Sequence, residues 1–239
     1  MGIKKINFMG IAILLFLVAS TAQIYSRSLT GQLDLVSSFI FRGMDLNPDH
    51  KPVVQPQLTY VFGASGFSAN IFTSFSFEHK ELNEIDLTLA YDYKVSEGLA
   101  LSCGVIHYGW YMNDGFTFKD NTTFEVYAGV ALPNVPLSPK ITLYYDFNMG
   151  DGLYAELSLL HSIKVNETLN ADFSATLGYN AGQWLPENAD TGLSDLTFGV
   201  AFPFKVGKVT LVPYANYTFV FLDAISTKNH FWAGLSLII

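Results

Sequence analysis

The sequence predicts an all-β fold, a transmembrane antiparallel up-and-down β-barrel of about twelve strands. Three observations carry that prediction. Apolar and polar residues alternate in short stretches, most clearly in Glu84-Ile85-Asp86-Leu87-Thr88-Leu89-Ala90-Tyr91-Asp92-Tyr93-Lys94. Successive side chains on a strand point to opposite faces, so this stretch has one oily face and one wet face. The breaks between stretches alternate between tight and long. Finally, the composition is 50% apolar and only 14% charged, against about 25% charged in a soluble domain. Yet no segment beyond the amino terminus has the roughly 18 uninterrupted apolar residues of a membrane helix.

The elements follow in order. Lys4 and Lys5 precede the apolar run Ile11 to Ala19, and the small residues Ser20 and Ala22 follow. This is the pattern of a secretory signal, so residues 1–22 read as a signal peptide and 23–239 as one barrel domain. Strands are expected at 31–42, 53–62, 67–78, 84–94, 99–111, 121–132, 139–147, 153–163, 168–180, 194–203, 209–220 and 230–239. The breaks at 63–66, 95–98, 133–138, 165–167 and 204–208 are tight. Those at 43–51, 112–120, 181–193 and 221–229 are longer, and 79–83 and 148–152 are compact members of the same set. Short periplasmic turns and longer extracellular loops are the habit of outer-membrane barrels, which places this chain in a Gram-negative outer membrane with lipid as its partner. The 181–193 loop is expected to be solvent-exposed, although Gly182, Gly192 and the acids Glu187 and Asp190 would permit it to fold inward as a constriction.

Parity assigns the faces. In the ninth strand Leu169, Ala171, Phe173, Ala175, Leu177 and Tyr179 alternate with Asn170, Asp172, Ser174, Thr176, Gly178 and Asn180. In the sixth, Phe124, Val126, Ala128 and Val130 alternate with Thr123, Glu125, Tyr127 and Gly129. Aromatic pairs near strand ends (Tyr60 with Phe62, Tyr91 with Tyr93, Tyr108 with Trp110, Tyr145 with Phe147, Phe231 with Trp232) are expected at the headgroup level. Pro56 and Pro213 fall inside strands, where each removes a ladder hydrogen bond, so bulges are expected there. Leu160 on the wet face and His161 on the oily one suggest a further slip.

The formal charge of −8 excludes a basic footprint for nucleic acid. Cys103 is the only cysteine, so neither an internal disulfide nor a thiolate metal site can form. The five histidines share no metal-binding spacing. His161 and Ser162 are adjacent and therefore point to opposite faces of a strand. There is no G-x-S-x-G elbow, phosphate-binding loop or zinc pattern. No cofactor and no catalytic residue are expected. The wet face carries Asp34, Glu78, Glu84, Asp86, Asp92, Glu125, Asp146, Glu156, Asp172 and Asp195, against which stand Arg42 and Lys94. These acids and Arg42 are the candidate pore-lining residues, with Arg42 at the top of the first strand.

Residues Leu35-Val36-Ser37-Ser38-Phe39-Ile40-Phe41-Arg42-Gly43-Met44, followed by Lys51-Pro52-Val53-Val54-Gln55-Pro56-Gln57-Leu58, resemble the opening of the TorF-type porins. Members share an aromatic-Arg-Gly triplet, a short loop and a Pro-x-x-Gln strand. The resemblance is specific over residues 31–62, fair to about residue 111 and architectural thereafter. It implies an outer-membrane barrel with a transport role and supplies no catalytic residue.

The expected function is a porin for passive diffusion of small polar solutes, cation-preferring through an acidic lumen. The alternative is a non-conducting barrel that serves as an envelope scaffold for a periplasmic partner. A homo-oligomer is compatible with either. A lipid-cleaving barrel would need Ser, His and a polar orienter clustered on the outer face, and the sequence offers none.

Overall fold

The structure, a computed structural model, describes residues 29–47, 51–78, 80–110 and 122–239. The expected signal peptide, the 112–120 loop, His50 and His79 lie outside the described residues. Twelve strands close an antiparallel barrel. They are β1 (Leu29–Val36), β2 (Val53–Val61), β3 (Phe67–Ser76), β4 (Glu81–Ser96), β5 (Leu99–Trp110), β6 (Thr122–Ala131), β7 (Lys140–Asp146), β8 (Gly152–Lys164), β9 (Asn170–Ala181), β10 (Gly192–Ala201), β11 (Val209–Val220) and β12 (His230–Ile238). A short continuation of β10 past Pro203, Phe204–Val206, also pairs with β11. Each strand pairs with its sequence neighbours, and β12 returns to β1 through Asp34↔Ser236. The sheet thereby closes on itself without an edge, as a bilayer demands.

The distribution of polarity is inside out. Buried side chains are mostly polar, including Asp34, Gln55, Ser74, Glu84, Asp86, Thr123, Glu125, Thr142, Asp146 and Thr218. The outer face carries Leu87, Leu89, Val126, Ile141, Leu143 and Phe173, all substantially exposed. Lipid covers such a surface; water would not tolerate it. Outward aromatics ring both ends of this band, Tyr60, Phe67 and Tyr93 at one end and Tyr145, Phe147 and Phe231 at the other. Among the described residues no helix is long and apolar enough to cross a membrane.

Four expectations need correction. The first strand stops at Val36, not at residue 42, and the chain turns into the barrel. Pro56 and Pro213 sit in register without bulges: Val54↔Phe75 and Gln57↔Phe72 flank the one, and Pro213↔Leu235 places the other. The Thr73 hydroxyl donates to the Pro56 carbonyl (3.3 Å), and Phe202 N–H donates to the Pro213 carbonyl (3.0 Å). The register shifts lie elsewhere, at Ser74/Phe75, Lys94/Ser96 and Gly178/Tyr179. There is no slip at Leu160, because β8 and β9 pair continuously from Tyr154↔Asn180 to Lys164↔Asn170. Finally, Tyr108, Trp110 and Trp232 share the register of the inner face, so strand parity overrides their position near strand ends.

Three inner tyrosines lie across glycines of a neighbouring strand: Tyr127 on Gly104, Tyr154 on Gly178 and Tyr214 on Gly234. A methyl at Gly104 would stand 2.6 Å from the Tyr127 ring and 2.7 Å from the Leu89 carbonyl oxygen. Gly104→Ala should therefore destabilise the refolded barrel by about 1–3 kcal/mol. Gly98→Ala, where the nearest atom is 3.9 Å away, should change stability by less than about 0.5 kcal/mol. Urea unfolding followed by heat-modifiable gel mobility measures both.

Candidate functional site

The residues after β1 build the site. Ile40–Phe41 and Met44–Asp45 form a miniature hairpin inside the barrel. Its turn is Arg42-Gly43, with φ of 48° and 81°. Two successive positive φ values belong to the type I′ turn that tight hairpins favour; Gly43 adopts one freely, whereas Arg42 is strained. The base of the hairpin is tied by Leu46 N–H donating to the Phe39 carbonyl (2.8 Å) and Ser38 Oγ donating to Asp45 (3.3 Å). Its aromatic residues pack on the inner wall, Phe39 against Phe72 (5.9 Å between centroids) and Phe41 against Tyr108 (6.0 Å). Phe41, Arg42 and Gly43 are thus the aromatic-Arg-Gly triplet seen in sequence, and they form the tip of an inward fold.

Arg42 is the centre. Its guanidinium donates twice to Glu125 of β6, at 2.6 and 3.0 Å, and also to Gln183. It lies 4.2–4.6 Å from the ring centroids of Phe41, Tyr144 and Tyr154. Its side chain is 7% exposed and that of Glu125 is 0%. Glu125 also accepts from Tyr108 Oη (3.0 Å) and Gln183 Nε2 (2.7 Å). Geometry of this kind is what a buried ion pair needs to offset its desolvation. Gln183 and Trp184 come from the loop after β9, where Trp184 meets Trp110 at 5.2 Å. That loop therefore turns inward at its start, contrary to expectation, while Glu187 and Asp190 stay exposed.

The remaining candidates separate by place. Asp34 accepts from Gln32 (2.8 Å) and Gln57 (3.2 Å) on the inner wall. Glu84 and Asp86 sit side by side on β4, both buried. Asp146 is wholly buried and accepts from Thr123 Oγ1, Asn148 N and Gly150 N at 2.7–3.0 Å, which makes it the organiser of the loop after β7. Glu156 accepts from Ser158 (2.7 Å), and Asp195 accepts from Tyr154 (3.0 Å) and Ser194 (2.6 Å). Asp172 accepts from Ser162 (2.5 Å), and Asp92 lies inward near the periplasmic end, exposed. Glu78 stands apart: it lies past the end of β3, 57% exposed, 3.9 Å from Lys51. Besides Lys94, the lysines Lys140, Lys164 and Lys205 share the inner register near the periplasmic mouth. Lys94 and Lys164 there pair with Glu97 and Glu167. Among the described residues no group of His, Cys, Asp and Glu could hold a metal ion.

A closed barrel with a lipid-facing exterior and an acidic, hydrogen-bonded interior is a transmembrane barrel of the outer membrane. The chain belongs to the Gcw_chp family, described as bacterial protein of unknown function, whose profile matches residues 22–217. That match does not carry the TorF name suggested by the first hairpin; the coarser likeness to porin architecture stands. No curated protein matches the chain. Solved structures with the same fold include the NanC porin (11% identity, 88% of this chain and 98% of that one, TM-score 0.53). The KdgM porin in complex with disordered oligogalacturonate is similar at 12% identity, 88% and 97% coverage and TM-score 0.52. An outer membrane channel from Pseudomonas putida F1 is similar at 11% identity, 88% and 94% coverage and TM-score 0.55.

Arg42→Met should leave Glu125 buried without its partner and lower stability by about 3–5 kcal/mol. Arg42→Met with Glu125→Leu should recover most of that loss, because no orphaned charge remains. Denaturant unfolding of the refolded single and double variants reads the difference.

Proposed function

We propose that this protein is an outer-membrane channel for passive passage of small polar solutes, cation-preferring, with its aqueous path narrowed by the Arg42 hairpin. The observation that carries the reading is the sign of the interior. Asp34, Glu84, Asp86, Asp92, Glu156, Asp172 and Asp195 face inward, and the lumen's one arginine among the described residues is already matched by Glu125. In a narrow aqueous tube such a field favours cations. Two of the inner lysines at the periplasmic mouth are themselves paired with glutamates, so they oppose the acids weakly. The porin and channel neighbours support the transport class. KdgM's oligogalacturonate, a polyanion, is a solute that an acidic interior would repel.

One observation favours the second reading, a non-conducting barrel that serves as an envelope scaffold for a periplasmic partner. The hairpin and the loop after β9 meet across the lumen at Arg42, Glu125 and Gln183, and a permanent knot there would block passage. The two readings part in planar bilayers. The channel reading expects discrete steps whose reversal potential in a salt gradient lies on the cation side, and a larger conductance for Arg42→Ala. Silence from both the parent and Arg42→Ala would favour the scaffold, and anion preference would refute the selectivity.

A further inference from the structure

A cavity of about 310 Å³ lies between the hairpin and the opposite wall, at the lower end of ligand-pocket sizes. Its two carboxylates, Glu156 of β8 and Asp195 of β10, flank Gly178 of β9 in register. Gly178 contributes no side chain of its own, and the Tyr154 phenol lies over it with its hydroxyl donating to Asp195 Oδ1 (3.0 Å). Tyr144, Tyr154 and Trp232 supply aromatic walls, and Asn216 an amide. Arg42 also borders the cavity, with Nη1 and Nη2 donating to Glu125 and Gln183. Among the described residues Glu156 and Asp195 accept hydrogen bonds from neutral hydroxyls, and no lysine or arginine among them pairs with either carboxylate.

Arg42 itself shows what this interior accepts. It is an alkyl stem with a cationic head, received by aromatic faces and a carboxylate. The neighbouring cavity offers the same chemistry a second time. Aromatic faces attract cations, carboxylates give charge-assisted hydrogen bonds to ammonium N–H groups, and the rings cover an apolar stem.

We propose that this cavity binds a small organic ammonium ion with a short apolar stem, held between Glu156 and Asp195 and covered by Tyr144, Tyr154 and Trp232. The proposal deepens the channel reading and rests on it for the route by which such a solute arrives. Binding itself is tested without conduction.

The test uses the refolded full barrel in detergent, titrated calorimetrically with 1,4-diaminobutane, with 1,4-butanediol and with succinate. These share a four-carbon skeleton and differ in charge. Diaminobutane should bind saturably at one site, with butanediol and succinate weaker by about tenfold or more. Glu156→Gln and Asp195→Asn should each weaken diaminobutane by a similar factor, whereas Glu97→Gln at the periplasmic rim should leave it unchanged. Heat-modifiable gel mobility confirms that each variant is folded. Equal binding of butanediol, no binding to the folded parent, or parent-like binding by both cavity variants would overturn the proposal. So would an equal loss with Glu97→Gln, which would reduce the effect to net charge. Conductance, recorded separately, keeps the two readings apart. A silent barrel that binds the diamine removes the channel and leaves the site, and a conducting barrel that does not bind it does the reverse.

Discussion

The ion pair between Arg42 and Glu125 is the contact on which the interior depends. A twelve-stranded barrel is wider than the eight-stranded kind that side chains fill unaided, and narrower than the open sixteen-stranded kind. Here the first extracellular connection folds back to occupy part of the lumen. A left-handed backbone at a non-glycine residue costs on the order of 1–2 kcal/mol, so the strained φ of Arg42 needs compensation. The two hydrogen bonds to Glu125, the bond to Gln183 and three aromatic faces provide it. Three parts of the chain, the hairpin, β6 and the loop after β9, meet at this one guanidinium.

The outer surface and the inner surface obey opposite rules. Outside, each strand needs only apolar side chains of any shape, because lipid adapts to them. Inside, a polar group shielded by the wall is costly unless it finds a partner in a fixed geometry. Asp34 with its two glutamines, Asp146 with its threonine and backbone donors, and Asp195 with Tyr154 and Ser194 are solutions to that demand. Several lumen acids are therefore structural first, and in the proposed channel their field would act on the permeating solute. Glu156 and Asp195 differ in bordering an open cavity beside aromatic rings.

Most of the barrel was legible in sequence because the period of two is local. The inward and outward residues of β6 and β9 read directly from alternation, and the spacing of short and long breaks gave the strand number. The errors have physical reasons. The alternation of β1 falters at Ser37-Ser38 and Phe39-Ile40-Phe41, but strand-forming residues run on to Phe41, so the end at Val36 is only weakly marked; the turn is fixed by contacts with β3, β5 and β6. The place of Tyr108 and Trp110 near a strand end suggests the headgroup level, whereas the parity of Leu101, Cys103 and Val105 points them inward. Pro56 and Pro213 cost one donor each without shifting register. Arg42 was legible as an isolated cation, whereas its partner Glu125 was one acid among ten. Gln183 carried no local signal: a glutamine in a long polar loop acquires meaning only when the loop folds onto β6.

The most direct test of this account asks whether the Arg42 turn lies inside the barrel. A Cβ built at Gly43 stands 3.2 Å from Cβ of Asp195 on the inner face of β10, slightly closer than the usual disulfide spacing of about 3.5–4.5 Å. In a Cys103→Ala background, Gly43→Cys/Asp195→Cys should form an intramolecular disulfide under mild oxidation of the refolded barrel, seen as a reducible mobility shift and by mass spectrometry of the linked peptides. The strain of a cysteine at positive φ, about 1–2 kcal/mol, is smaller than the roughly 2–4 kcal/mol such a link contributes. A high yield in the folded barrel, absent in urea, is the predicted result. Two free thiols in a fully folded barrel would contradict it and return the hairpin to the outside.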